Sequence, residues 1–452
     1  MGLTGIQIFK MLPKTNCKEC GHPTCLAFAM ALASGKAELD SCPYVSDEAK
    51  EQLAEASAPP VRPMQIGAGD RSFKIGGETV LFRHEKTFVN PPGIGVLVTS
   101  DMDEGTLSEK LKIWDTFQFE RVGFNLRPEL VAIKDINGDA GKFAALAKKV
   151  VDESEFCLVL MSEDVGVMKA GIDSCADRKP VIYAATKDNA DDMGALAKET
   201  GLPLAIKADD MDGLMELTGK LTGIGLKDLI LDSNSRTVRR AFEDQVWLRR
   251  EAIMKKNRSL GFPTITFPCE MADNLDKETV IAAMFIAKYA GIIILSDFIG
   301  ESLFSLLVER LNIYTDPQRP MMVDEGIYDI NGPDENSPVV ITTNFALTYF
   351  IVSAEIDASR VPTWLLIMDT EGLSVMTAWA AGSFVGDAVG MFVNKCGILD
   401  KVNHKKLIIP GYAAAISGDL EFQSRRRPKN RRNWAWTLLI SIWAPPGREA
   451  LN

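Results

Sequence analysis

From residue 91 onward, apolar and β-branched runs of four to six residues alternate with longer stretches whose apolar positions fall three and four apart. The runs lie at 94–99, 130–135, 156–161, 180–185, 202–207, 228–232, 264–268 and 292–296. The stretches between them, such as 107–119, 141–151, 189–200 and 277–290, are long enough for crossover helices. Eight strand–helix units across 93–313 predict a TIM (βα)8 barrel, with an open doubly wound sheet as the alternative of equal periodicity. Residues 314–338, rich in Pro, Asp and Gly, read as a linker. A second α/β pattern follows, with strands at 339–344, 364–369 and 406–410 and helices at 346–359 and 375–392, the latter long and Ala-rich. It predicts a doubly wound α/β domain over 339–452. Ahead of the barrel, 73–82 reads as a hairpin turning at Gly76 and Gly77, and 57–63 as a stiff Pro-rich linker. Residues 26–33 form a short apolar helix and 46–56 an acidic one capped by Ser46. The predicted divisions are 1–57, a linker with hairpin at 58–92, 93–313, a second linker at 314–338, and 339–452.

Composition narrows the functional classes. The 452 residues are 46% hydrophobic and 25% charged, an ordinary globular balance, and carry a net charge of −11. So acidic a chain is a poor partner for nucleic acid, whose phosphates need a basic face. No apolar run is long enough to span a bilayer, and the N-terminus has neither the apolar core nor the cleavage site of a secretory signal. The expected location is therefore the cytoplasm, with no membrane partner.

Eight cysteines are present, four of them within the first 42 residues. Cys17, Cys20 and Cys25 lie in one tight run, and Cys42 follows sixteen residues later, just before Pro43. Clustered thiols in a reducing compartment read as metal ligands rather than disulfides. One tight run plus a distant Cys-Pro favours a 4Fe–4S cluster, with zinc as the alternative, since structural zinc sites more often show two paired knuckles. The first division is thus a small four-cysteine domain. Cys157, Cys175, Cys269 and Cys396 sit in or beside apolar patterns and read as small buried hydrophobes.

Chemistry on the predicted barrel would sit at the C-terminal strand ends. Those ends carry Ser100, Asp101, Asp135, Asn137, Ser162, Glu163, Lys207, Asp232, Asn234, Cys269, Ser296 and Asp297. Such a rim could take a pterin, but polar rims are general to barrels. Only three histidines occur (His22, His84 and His404), with no phosphate loop and no nucleophile–base pair, so no catalytic residues are assigned. In the last division three strand ends are each followed by small or hydroxyl residues, on the edge where a doubly wound domain binds a flat ligand. Small residues at Ala378, Ala380, Ala381 and Gly382 suit the approach of a large ring, or simply pack a helix on a sheet.

Several stretches together resemble the large (gamma) subunit of the corrinoid iron–sulfur protein of the acetyl-CoA (Wood–Ljungdahl) pathway and its archaeal counterpart in the acetyl-CoA decarbonylase/synthase complex. They are 3–13, the four-cysteine set, 342–349, 370–379 and 408–412. The resemblance implies a 4Fe–4S domain, a TIM barrel and a corrinoid-binding α/β domain. It implies Cys17, Cys20, Cys25 and Cys42 on the cluster, and Thr343, Thr348, Leu373, Ser374, Val375, Met376, Thr377, Gly411, Tyr412 and Ala413 around the corrinoid, with Thr377 nearest cobalt. It implies a small subunit completing a heterodimer, a separate methyltetrahydrofolate:corrinoid methyltransferase that supplies the methyl group, and acetyl-CoA synthase/CO dehydrogenase that receives it. The cluster would restore oxidised cobalt to the reduced, methyl-accepting state. None of the three histidines lies in an Asp-x-His-x-x-Gly context, so a base-off corrinoid without a protein axial histidine is expected. Whether the chain counts as an enzyme or as the carrier of a methyltransferase system stays open.

Beyond about residue 420 the pattern departs from the family. Residues 424–432 are strongly basic and 434–446 Trp-rich, without strand or helix logic, as a shifted reading frame would produce. Two other functions remain to be weighed: a pterin-binding barrel methyltransferase, and an iron–sulfur electron-transfer adaptor.

Overall fold

The computed structural model describes residues 5–33, 37, 39–46, 49, 53, 58–121, 123–316, 320–420 and 437–441. They form two compact units, one of Met1–Leu81, Val89–Thr116 and Pro128–Arg310, the other of Phe82–Phe88, Phe117–Arg127 and Leu311–Asn452.

The first unit contains an eight-stranded parallel barrel. Its strands are Gly93–Thr99, Leu130–Lys134, Cys157–Met161, Val181–Ala185, Leu204–Lys207, Leu229–Asp232, Ile265–Thr266 and Ile292–Leu295. Each pairs in parallel with the next in sequence, the first also pairs with the last, and a bridge between Leu231 and Thr264 joins the sixth to the seventh. The barrel reading thus holds over the open sheet. Leu130, Ala132, Val159, Val181, Ala205, Ile230, Phe267, Ile292 and Ile294 pack together as the barrel core, while Val131, Ile133, Leu158 and Leu160 are buried too. Both strand faces are covered, which is why the runs read as continuously apolar. Asp103, Asp139, Asp164, Asp210 and Asn274 cap the helices that follow several strands, their side chains accepting N–H bonds from the first turn.

The hairpin is displaced from its predicted place. Met64–Ile66 pairs antiparallel with Phe73–Ile75, and Met64, Ile66 and Ile75 join the barrel core. Gly76 and Gly77 are left-handed as a turn requires, but Gly77 N–H bonds back to Val61 O, so these glycines run beside the linker instead. At Gly76 a side chain would strike the Arg62 carbonyl. Ahead of the barrel, helices Gly5–Met11 and Cys25–Ala33 share a separate small core with Phe28, Cys42, Val45 and Leu53. Most of the acidic segment expected at 46–56 lies outside the described residues.

The second unit is built on a five-stranded sheet in the order Gly326–Ile330, Thr363–Met368, Val339–Thr343, Lys406–Pro410, Thr437–Ser441. The first strand is an antiparallel edge inside the segment read as a linker. The other four are parallel. The final strand corrects the reading of the tail as structureless: Thr437–Ser441 pairs residue for residue with Lys406–Pro410. The basic and Trp-rich flanks had obscured a five-residue run rich in leucine and isoleucine. The expected helix over 375–392 is also corrected. It stops after Val375–Ala380 and resumes as Gly386–Lys395. Gly382 is left-handed, Ser383 and Phe384 N–H groups bond back to Ala378 O, and Phe384 is buried in the core. At Gly386 the backbone of Leu420 approaches so closely that no Cβ would fit. Among the described residues, no helix is long and apolar enough to cross a membrane.

Candidate metal centre and ligand cavity

Cys17 and Cys20 lie on the loop that leads to Cys25, and Cys42 packs with Cys20 and Cys25 in one apolar cluster. Cys25 opens its helix, and Asn16 brackets it: Cys25 N–H donates to Asn16 Oδ1 at 2.8 Å, while Asn16 N–H points at Cys25 Sγ at 3.4 Å. Cys25 and Cys42 are buried and Cys20 half-buried in the same apolar cluster, whereas Cys17 is exposed. The Tyr44 hydroxyl donates to Glu19 Oε1 at 2.9 Å and its pKa is raised, first by that bond and charge, then by burial and by Cys17 and Cys42 nearby. Lys14, Asn16, Lys18 and Gly21 all have positive φ. These left-handed residues bend the chain repeatedly through the segment that carries Cys17 and Cys20. Among the described residues, no three Cys, His, Asp or Glu side chains converge as a single metal ion would require. The fit to an iron–sulfur cluster therefore rests on the donor set and its loop: four soft thiols, one N–H already aimed at sulfur, and an apolar floor.

In the second unit the chain runs from Val339–Thr343 to Thr363–Met368 on one side, then returns to Lys406–Pro410 on the other. At such a reversal the connections leave in opposite directions and open a crevice at the strand ends. A cavity of about 540 Å³ lies there, walled by Val340, Thr342, Ile351, Ile408, Tyr412 and Met376. Of the predicted contacts, Thr348, Ser374, Val375, Met376, Gly411 and Tyr412 line it. Thr343, Leu373, Thr377 and Ala413 do not: Thr343 and Ala413 are fully buried, Leu373 packs on the core, and Thr377 is exposed, with its hydroxyl 3.0 Å from that of Ser374. Thr342 lines the wall, is 2% exposed, and its hydroxyl has no hydrogen-bond partner. A buried orphan hydroxyl is costly unless something else meets it. This cavity therefore suits a ligand that presents an apolar face to the walls and a polar group at the strand end.

The loop that forms one wall is held from beneath. Asn344, 4% exposed, accepts at Oδ1 from Thr370 N–H (3.0 Å) and Gly372 N–H (3.0 Å), and its Nδ2 donates to Asp369 Oδ1 (2.9 Å). The Thr370 hydroxyl lies 3.1 Å from both Asn344 Oδ1 and the Leu373 carbonyl, so its single proton serves one or the other. Glu371 and Gly372 are both left-handed, and a Cβ at Gly372 would strike Met322. Nothing local in the sequence marks Asn344 for this role, since its partners lie 25 to 28 residues away.

On the barrel, Asp135, Ser162, Glu163, Lys207 and Asn234 of the predicted rim line a polar cavity of about 380 Å³, joined by Tyr183, Arg236 and Glu270. Asp297 lies apart, held by Lys110 and by Trp114 Nε1 at 2.9 Å. Arg236 grips Asp232 at 2.9 Å and 3.1 Å and also reaches Glu270; Tyr183 donates to Asp232 at 2.6 Å. Burial pushes the Cys269 thiol up to about 12, so it is an inert neighbour at pH 7. For Glu270, burial works against the charged form, but hydrogen bonds and charges from Lys134 and Arg236 prevail and hold the carboxyl below its ordinary value. A depressed folded-state pKa gives stability that is present above the ordinary value and lost as acid protonates the group. Acid titration of the wild type should therefore lose barrel stability as pH falls below about 4.5. A Glu270→Gln chain, compared by denaturant midpoint at pH 7 and pH 4, should show a smaller drop.

Comparison with known proteins fits this geometry. A family model described as "CO dehydrogenase/acetyl-CoA synthase delta subunit" matches residues 63–434, and one described as "Putative Fe-S cluster" matches 12–44, a span holding all four N-terminal cysteines. The corrinoid/iron-sulfur protein large subunit of Moorella thermoacetica is 44% identical over 421 residues, covering 93% of this chain and 94% of the relative. The acetyl-CoA decarbonylase/synthase complex subunit gamma of Methanopyrus kandleri is 37% identical over 430 residues, covering 93% of each. Among solved structures, the Yersinia pestis dihydropteroate synthase aligns with 50% of this chain and 94% of its own at 12% identity and TM-score 0.37, a likeness too distant to bear on function.

Proposed function

Because this chain belongs to the family of corrinoid/iron–sulfur protein large subunits, we propose that it is a methyl carrier of the acetyl-CoA pathway, working in the cytoplasm. The observation that carries the reading is one chain holding both a four-thiol loop and an apolar cavity at the sheet's reversal point. When bound, the corrinoid supplies a cobalt that takes up and gives up a methyl group, and the iron–sulfur cluster supplies an electron route that keeps it reducible.

The protein's own part is to hold and tune. Cys17, Cys20, Cys25 and Cys42 would ligate the cluster, with Asn16 N–H on Cys25 stabilising the thiolate. Thr348, Ser374, Val375, Met376, Gly411 and Tyr412 would line the corrinoid, Thr342 meeting a polar group of it. Thr377, joined to Ser374, would stand closest to the reacting face, with Leu373 and Ala413 shaping the wall from behind and Thr343 packed at the strand end. Each histidine is engaged elsewhere. His404 Nε2 lies 2.8 Å from Ser337 O and its Nδ1 accepts from Lys406 N–H at 3.1 Å, His84 stacks on Phe82, and His22 packs by Phe28. This supports a base-off cofactor with no protein axial histidine. Residues 1–57 would act as the electron module, 93–313 as scaffold and 339–452 as the corrinoid module. A small subunit, a methyltetrahydrofolate:corrinoid methyltransferase and acetyl-CoA synthase/CO dehydrogenase are the partners this role requires.

The test is metal content. Protein isolated without oxygen, together with its small subunit, should contain about one cobalt and about four iron per chain. Iron without cobalt would reduce the chain to an electron-transfer adaptor, and absence of both would end the proposal.

A further inference from the structure

We propose that Asn344 is a positioning residue: its side-chain amide sets the loop Thr370–Ser374, and through it the Ser374 and Thr377 hydroxyls, at the height the bound corrinoid needs. This rests on the assignment of the switch-point cavity to that cofactor.

The residue is placed so that it cannot follow the loop if the loop moves. Its own backbone is fixed on two sides, because Asn344 N–H donates to Met368 O at 2.9 Å and Asn344 O accepts from Val323 N–H at 3.0 Å. The next residue bridges Met322, whose side chain closes over Gly372. From this anchor the side chain uses both ends. Oδ1 meets the two inward N–H groups of a turn whose middle residues, Glu371 and Gly372, are both left-handed; Nδ2 meets Asp369, which also accepts from Glu371 N–H at 2.9 Å. An aspartate in its place would keep the accepting oxygen but set a carboxylate against Asp369. Leucine or alanine would leave two buried N–H groups without partners. Immediately after this turn the chain starts helix Val375–Ala380, whose cap residue Ser374 makes no side-chain capping bond and instead places its hydroxyl 3.0 Å from that of Thr377. The Ser374 carbonyl accepts from Ala378 N–H at 2.7 Å, so the hydroxyl pair travels with the start of this helix, and the turn that leads into it is held by Asn344.

The test compares Asn344→Ala, Asn344→Asp and the double variant Asn344→Asp with Asp369→Asn, each as the full chain with its small subunit. The double variant reverses the donor and acceptor of the pair and keeps an oxygen for the turn. Two readouts are taken: amide exchange of peptides spanning 369–374 without added corrinoid, and the dissociation constant for hydroxocobalamin followed by its absorption. The alanine and aspartate variants should exchange this segment about tenfold faster and bind about tenfold more weakly, and the double variant should return to within about threefold of the wild type. Unchanged exchange in the alanine variant, or a double variant as impaired as either single one, would overturn the role of Asn344. General destabilisation would give no such rescue. If the wild type itself takes up no corrinoid while exchange responds as expected, the cavity assignment fails and the positioning of the turn stands on its own.

Discussion

A Cys20→Ser chain is expected to lose its iron–sulfur absorbance while keeping its cobalt. Cys20 is half-buried beside Cys25 and Cys42 on a small apolar core of its own, whereas the cavity proposed for the corrinoid lies on the other compact unit. Serine offers a hard, protonated oxygen in place of a soft thiolate, and iron–sulfur ligation needs the thiolate. Iron affinity should fall by on the order of a hundredfold, the upper end of what even outer-shell changes cost. Two assays then separate holding from reducing. Prereduced variant should accept a methyl group from the methyltransferase at close to the wild-type rate. After oxidation it should not be restored by protein electron donors. Restoration at the normal rate would remove the cluster from the proposed scheme.

Replacing Arg310 by alanine should cost the barrel about 3–5 kcal/mol, the usual penalty for stripping one partner from a buried ion pair. Arg310 forks onto Glu129 with two contacts of 2.8 Å and also donates to Pro92 O at 2.9 Å. Their side chains are 10% and 14% exposed. Glu129 in turn accepts from Ile94 N–H at 3.0 Å, so the pair clamps the last barrel helix to the start of the first strand. Without the guanidinium, the carboxylate stays buried and uncompensated. A fall in melting temperature on the order of 10 °C should follow in differential scanning calorimetry, mainly in the transition of the barrel unit. Arg310→Met with Glu129→Leu should recover much of the loss, because apolar isosteres often replace such pairs at little cost. Failure of calorimetry to show any drop in the single variant would mean the clamp carries no weight.

The barrel was legible because buried parallel strands leave a plain mark: eight apolar runs at regular intervals, each followed by a cappable helix. The four thiols were legible for a similar reason, since their spacing is local. What escaped reading was set by contacts distant in sequence. The hairpin could not be placed because Gly76 and Gly77 have the right conformation for a turn but answer to Val61 and Arg62. The break at 381–385 lies in an Ala-rich stretch that local propensity would leave helical, and it is imposed by Phe384 entering the core and Leu420 pressing on Gly386. Strand Gly326–Ile330 was hidden by its Pro- and Asp-rich flanks, and Thr437–Ser441 by basic and Trp-rich ones. In the cavity, the loop after each strand was readable, but the strand positions themselves, Val340, Thr342 and Ile408, were not, because which face of a strand meets a ligand depends on a sheet order that only folding reveals.

The way the barrel closes has a kinetic side. Gly93 and Ile292 are direct strand partners although nearly the whole barrel sequence lies between them. Contacts so remote in the chain form slowly, since the entropy of closing a long loop must be met before any of the pairing is gained. Until that seam forms, strands buried on both faces in the finished protein stand bare, and neighbouring nascent chains can zip onto them. Overproduction at low temperature and slow induction, which lengthen the time available per molecule before encounter with another, should therefore raise the soluble yield.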